Sequence, residues 1–583
     1  MKQSTPPCRT NIPAAAPLLA IRIIGIIAGT ALVCVLALIV AFGNGSVSYG
    51  YSVADQRVAN NVALIVVIAC AVLASIAFTR CRQGVRGAKA PEDRPRRMDD
   101  RAFRRWCLRA CAGVFLVEEA LTAFVGFVPG WDVMPMVHGA VYGIPLDQIR
   151  FSTISDYNDY NVPYLAMYPN NAFLAGFLSA ICKVVPGSVF LKIVPCLCVS
   201  VSIFLISRIV LSLTGSRRWA IAPLALSVLL IGLLPWFFVP YSDVFGFTCV
   251  TSALWALTCL SRPFLRWSAF FAFSAVGFLL KPTAVFLPIA VVLVYALAAS
   301  GHRFPLRPAL RAGAGALAGC GVAALVYAAL ILPTGFAPDR DKAFGPAHYL
   351  MMGLNEESGG GYSQSDVLFS LDQPSKEARD EANWEVARQR VSDMGFVGTV
   401  ELFAKKTLSN YNDGTFAWGQ DQPFFPPEFE GYMSYESYVK FLSVYEAQMG
   451  NPVARALASY YWGEGRNYPV FQTVQQAVWL TTLLGSALCL LGMATRMWRR
   501  LDPWSTTVVV AVLASLVMVT VFLMVFECRA RYLYLYSGLY IVASIWGYRC
   551  LFQRAAAPRG ETPPPPRTID DGSREPPLRN FLP

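Results

Sequence analysis

Residues 163–185, PYLAMYPNNAFLAGFLSAICKVV, are apolar enough to cross a bilayer, yet they open on Tyr168-Pro169-Asn170-Asn171 and carry Lys183 near their end. How this segment is read fixes the side on which every later polar group lies. Further apolar runs fall at 188–213, 219–238, 243–261, 267–280, 283–299, 312–332, 471–495, 504–526 and 532–549. Basic residues punctuate them at Arg217-Arg218, Arg262 and Arg266, His302-Arg303, Arg307 and Arg311, Arg496, Arg499-Arg500 and Arg549. If 163–185 lies along the interface, all these clusters share the cytoplasmic side, where Lys and Arg accumulate; if it spans, all of them flip outward. We therefore read it as an interfacial or re-entrant helix.

Upstream, the run Ala16 to Phe42 is longer than a signal-peptide core and is followed by a second run, Val62 to Phe78, so it reads as a retained first helix. The arginine-dense stretch from Arg80 to Arg109 marks a cytoplasmic loop. A third span, Ala110 to Val128, then runs outward and delivers Gly130-Trp131-Asp132-Val133-Met134-Pro135 to the external face. The expected fold is an all-α polytopic membrane protein with about 12 transmembrane helices, both termini inside and a large external loop domain. Its expected parts are two helices with a basic loop (1–104), a transmembrane module with a polar first external loop at 129–187 (105–333), the external domain (334–470), C-terminal helices (471–552) and a disordered cytoplasmic tail (553–583).

Composition agrees. With 583 residues, 55% hydrophobic and only 15% charged, the chain is too apolar for a soluble globule. The net charge of +12 comes from arginines beside apolar runs and accompanies no nucleic-acid motif, which excludes nucleic acid as a partner. Most of the fifteen cysteines lie in or beside apolar runs, and 334–470 contains none, so they read as small apolar packers rather than a disulfide framework. Three histidines exclude a histidine-rich metal site.

This topology sorts the unusual polar groups onto one face. Asp132 opens a loop that also holds Asp147, Asp156 and Asp159; Tyr241-Ser242-Asp243 and Lys281-Pro282-Thr283 form short external turns; Glu527-Cys528-Arg529-Ala530-Arg531 ends another span. Moving a sugar from a lipid phosphate requires a carboxylate to take a proton from the acceptor hydroxyl and cations to stabilise the departing phosphate. Asp132 or Asp243 supplies the first; Lys281, Arg529 and Arg531 supply the second. Asp156, Asp159, Tyr168, Asn170 and Tyr241 are candidates for substrate binding. No cofactor is called for beyond a divalent metal ion that Asp132 and Asp243 could share. Glu118 and Glu119 sit mid-span, about 100° apart on a helix, and read equally as functional or as structural acids. In 334–470, residues 375–394 (SKEARDEANWEVARQRVSDM) read as an amphipathic helix, and Gly359-Gly360-Gly361 lacks the following Lys-Ser/Thr of a phosphate loop.

The order of these features resembles the GT-C superfamily of membrane glycosyltransferases, among them protein O-mannosyltransferases and bacterial aminoarabinose transferases. The resembling features are Trp131-Asp132 opening the first external loop, a Tyr-Pro-Asn-Asn interfacial helix, Tyr241-Ser242-Asp243, then Gly277-Phe278-Leu279-Leu280-Lys281-Pro282-Thr283. The resemblance covers 105–300, with Glu527 to Tyr532 similar to an acid-plus-arginine segment near the end of some bacterial members. It implies Asp132 as catalytic base, Asp243 as an assisting acid and Lys281 as a ligand of donor phosphate. The implied function is transfer, with inversion, from a polyprenyl-phosphate sugar to a cell-envelope acceptor. It also implies a multi-pass protein of the cell membrane, in contact with its lipids, with an extracytoplasmic active site. Two departures stand out: Asp132 lacks the paired acid many members carry, and 334–470 matches no sensor domain of eukaryotic members. The alternative is a transporter or flippase, or a polymerase or ligase, for lipid-linked glycans; a transporter would place its essential acids at the midplane.

Overall fold

The computed structural model describes residues 15–43, 46–48, 53–55, 59–69, 100–125, 132–150, 162–185, 187, 189–300, 306–419, 446, 449–463, 465–495 and 502–556. Trp131, Asp156, Asp159, the arginine-dense loop up to 99 and the tail beyond 556 lie outside them.

The chain is a helical, multi-pass membrane protein. Among the described residues, eight helices are long and apolar enough to cross a bilayer. In chain order the helices are α1 (Ala15–Phe42), α2 (Ala59–Ala69), α3 (Asp100–Phe124), α4 (Val133–Tyr142), α5 (Tyr164–Met167), α6 (Ala172–Val184), α7 (Val189–Thr214) and α8 (Arg217–Ser227). They continue with α9 (Ser242–Cys259), α10 (Pro263–Leu280), α11 (Phe286–Ala299), α12 (Leu306–Ile331), α13 (Pro346–Gly353), α14 (Gln364–Leu371) and α15 (Lys376–Tyr411). The last are α16 (Pro452–Tyr461), α17 (Tyr468–Ala487), α18 (Cys489–Ala494), α19 (Pro503–Val525), α20 (Arg531–Tyr534) and α21 (Ser537–Ala556). One short antiparallel hairpin, β1 (Ser46–Ser48) with β2 (Val53–Asp55), departs from the all-α expectation.

Without a hydrophobic drive between helices inside lipid, close approach depends on small residues. Gly315 and Gly319 of α12, one helical turn apart, lie against Trp267, Ser268 and Ala272 of α10. Gly485 of α17 and Gly547 of α21 meet backbone to backbone in the same way. The described cysteines are all free, and most are buried among apolar neighbours.

The two ends of the bundle differ in chemistry. At one end Arg22 donates to the carbonyl of Met493 (2.7 Å), Arg266 to that of Leu260 (2.8 Å), and Arg549 and Ser505 both to that of Leu213 (3.4 and 2.7 Å). The carboxylates and tyrosines described below gather at the other end. Helix α7 runs 26 residues and finishes at the arginine end beside Leu213, so it starts at the acidic end. Helix α6 starts beside Tyr164 and finishes just before α7 begins, which brings it back to the end where it started. With 13 residues it reaches only about 20 Å, short of the ~30 Å hydrocarbon core. The segment 163–185 is thus a non-crossing element.

Part of the stretch between the C-terminus of α12 and the start of α17 packs as surface helices. The helix expected over 375–394 is longer: α15 starts at Ser375, whose hydroxyl caps the Ala378 N–H, and runs on through a kink at Gly395, where φ is +61°. It plunges into the bundle, where Tyr411 hydrogen-bonds to Thr520 and Tyr540 (2.6 Å each). Residues 412–418 then form a fully buried non-helical loop. Non-helical backbone at such depth persists only where protein groups satisfy it. Asp413 accepts from the Thr415 N–H (2.8 Å), the Thr415 hydroxyl (2.6 Å) and the Ala417 N–H (2.8 Å). Gln476 accepts from the Gly414 N–H (2.7 Å), and the indoles of Trp236 and Trp479 donate to Thr415 and Tyr411 carbonyls (3.2 and 2.8 Å). Phe416 and Ala417 are held at positive φ (53° and 63°), a conformation that surrounding packing must enforce.

Candidate functional site

The acidic end brings together side chains that lie hundreds of residues apart. Asp132 immediately precedes α4, and its Oδ2 accepts a hydrogen bond from the Tyr241 hydroxyl (3.1 Å). Tyr241 is the residue before α9. Asp243, in the first turn of that helix, is fully buried and paired with Lys281, which stands at the end of α10. An acid in a helix's first turn also faces the positive end of its macrodipole. Gly246, one turn on, lets the C-terminal segment of the site approach: a Cβ there would meet Leu535 Cδ1 at 2.4 Å.

That segment follows α19. Lys281 Nζ lies 4.3 Å from the Tyr532 ring centre, and the Arg531 guanidinium lies 5.6 Å from the same ring and 5.7 Å from that of Tyr241. Such contacts contribute about 0.5–2 kcal/mol each and hold the cations in place. The Tyr532 hydroxyl donates to Glu527 Oε1 (3.0 Å). Burial raises the Glu527 carboxyl above the usual range, opposed by the Tyr532 hydrogen bond and by Arg531 and Arg529; the charge of Asp132 pushes it further up. Arg529 is buried and Arg531 half-buried. Within this set Lys281 neutralises Asp243, and the guanidinium groups of Arg531 and Arg529 act electrostatically on Glu527. One Asp243 oxygen, Oδ2, is buried without a hydrogen-bond partner among the described residues.

Aromatic side chains wall the site. Tyr164 is buried, accepts from Asn171 Nδ2 (2.6 Å) and lies within electrostatic reach of Asp132, Tyr241 and Tyr349. Tyr168 packs on Tyr164 and edge-on to Phe344 (5.3 Å each), so the Tyr-Pro-Asn-Asn segment is roofed by the outer helices. Asn170 is exposed, and its neighbour Asn171 turns inward. The outer helices also reach the site through backbone: the Glu527 N–H donates to the Tyr349 carbonyl and the Cys528 N–H to that of Gly360 (3.0 Å each).

The structure therefore joins Asp132, Tyr241, Asp243, Lys281 and Arg531 in one cluster, with Arg529 within electrostatic reach of Glu527. Asn170 is exposed and donates to Asn171 Oδ1 (3.4 Å). Sequence reasoning missed Glu527 and Tyr532 as site members, although both lie in the segment it singled out, and it missed Tyr164, Asn171 and Tyr349. The last had no signal at all. A shared metal fits poorly: Asp243 is already neutralised by Lys281, and no three His, Cys, Asp or Glu side chains form a metal cage among the described residues.

Residues 109–547 match a protein family, described as conserved hypothetical integral membrane protein, over a stretch that contains every member of the cluster. The chain belongs to that family. No curated protein and no solved structure matches it.

Proposed function

We propose that this family member is a membrane glycosyltransferase, which moves a sugar from a polyprenyl-phosphate donor to an extracytoplasmic cell-envelope acceptor. The observation that carries the proposal is the placement of Asp132, poised by the Tyr241 hydroxyl, in one cluster with two arginines at the bundle end opposite the structural arginines. In this reading Asp132 takes the proton of the acceptor hydroxyl, whose oxygen attacks the anomeric carbon from the face opposite the phosphate, so the configuration inverts. Arg529 and Arg531 stabilise the departing lipid phosphate, bidentate geometry being what guanidinium offers a phosphate. Lys281 pairs with Asp243, and Asp243 Oδ2 accepts from a substrate hydroxyl. The order of motifs resembling the GT-C superfamily supports the same reading. So does a twelve-span topology, in which α3, the segment from α8 to 238, and α21 cross beside the eight most apolar helices, with the partly described run from α2 completing the count.

The test is mass spectrometry of lipid-linked sugars and envelope glycans in cells with and without the protein. Loss of one envelope sugar together with accumulation of its lipid phosphate is expected; unchanged pools of both would overturn the proposal.

The orientation is checked separately. Glu385 is exposed on the outer helices, and Ser300 is exposed at the arginine end. Cysteine at Glu385 should react with a membrane-impermeant maleimide in sealed cells and cysteine at Ser300 should not. The reverse pattern would put the cluster in the cytoplasm.

One observation favours a transporter instead. Glu118 is fully buried mid-helix in α3, and the Ser200 hydroxyl donates to it (3.2 Å). If transport is the function, Glu118→Gln abolishes it while Asp132→Asn does not.

A further inference from the structure

Lys406 of α15 is fully buried, yet no carboxylate pairs with it among the described residues. An unpaired ammonium in such a place is costly unless other groups take over its solvation. Its Nζ donates to the carbonyls of Gly353 (2.5 Å) and Phe526 (2.8 Å). Gly353 is the last residue of α13, and Phe526 caps the C-terminus of α19. Both carbonyls belong to the group that a helix end leaves without intrahelical partners, and both carry the negative end of a macrodipole. One cation thus caps two helices that come from separate parts of the chain. Burial lowers the lysine to about 8, with the nearby Cys528 and Glu527 acting to raise it.

The residue that follows Phe526 is Glu527, so whatever fixes the Phe526 carbonyl also fixes where the arginine segment leaves α19. We propose that Lys406 is a positioning residue that holds Glu527, Arg529 and Arg531 in register with Asp132. This rests on the transferase reading for its consequence but not for its geometry. Three further contacts act together with it: Glu527 N–H to Tyr349 O, Cys528 N–H to Gly360 O, and Cys528 Sγ to Gly359 O (3.9 Å). Gly360 lies directly against the lysine stem, where an added Cβ would stand 2.7 Å from Lys406 Cδ and Cε. Through this lysine the outer helices dictate the geometry of the phosphate-facing segment.

Cys528 is a natural reporter, being only 4% exposed beneath these contacts. The test is alkylation of the purified full-length protein in detergent by N-ethylmaleimide, read by peptide mass spectrometry at Cys528, with membrane-buried Cys489 as internal reference. Lys406→Met removes both caps, and Gly360→Ala displaces the lysine stem while leaving the charge. Each is expected to speed Cys528 labelling at least about tenfold, with Cys489 unchanged and the protein monodisperse. Under the transferase reading, each also raises KM for the polyprenyl-phosphate sugar about tenfold, the loss of one well-placed charge-assisted contact, without moving acceptor KM. Unchanged Cys528 labelling in both variants overturns the proposal. So does equal acceleration at Cys489, or failure of both variants to fold, either of which makes Lys406 a general core residue. If the wild type transfers no sugar, the labelling result still decides the geometry.

Discussion

Asp132→Asn is expected to lower sugar transfer by roughly two to four decades while leaving the protein folded. The amide keeps the size of the carboxylate, and its oxygen can still accept from the Tyr241 hydroxyl, so the local hydrogen bond survives. Asp132 is half-buried, and the buried Lys281–Asp243 pair is left intact by the substitution. What disappears is the capacity to take a proton. The measurement is transfer from a labelled polyprenyl-phosphate sugar by purified variants, normalised to protein that remains monodisperse. Turnover near the wild-type rate would remove Asp132 from the mechanism.

A second large effect is expected on stability. Lys281→Met should destabilise the protein by about 3–5 kcal/mol, because it leaves the carboxylate of Asp243 buried and alone. The double variant Asp243→Asn, Lys281→Met removes both charges and should recover much of the loss, since a buried pair replaced by neutral groups of similar volume is often close to neutral. Thermal unfolding in detergent across the four members of the cycle measures the coupling. If the single variant melts with the wild type, the pair is not what holds α9 against α10. This differs from what the sequence alone suggested for Lys281, a ligand of lipid phosphate. The structure pairs its charge with Asp243.

That difference shows where sequence reading stops. Asp132, Tyr241, Asp243, Lys281 and the arginines could be grouped in advance because each lies at a helix end and parity puts those ends on one side of a bilayer. Position along an apolar run carries that information. Pairing does not: Asp243 and Lys281 are 38 residues apart, and charge alone could not say whether the lysine would meet an aspartate or a phosphate. Likewise the alternation of charge in 375–394 announced a helix, but nothing in it announced that α15 would continue to a buried Lys406 and enter the bundle at Tyr411. Asn170 and Asn171 are chemically identical neighbours, and only the short turn after Tyr168 decides which one faces Tyr164.

The buried loop at 412–418 has a consequence for anyone who would exchange parts between members of this family. The outer helices cannot be lifted out as a cassette and replaced by a linker, because the chain leaving α15 fills the interior of the bundle before it emerges. Excision would strip the indoles of Trp236 and Trp479 of their acceptors and Gln476 of its donor, at about 1–3 kcal/mol for each buried polar group left unsatisfied. A working chimera would have to carry the loop, α17 and the turn containing Trp236 from the same parent.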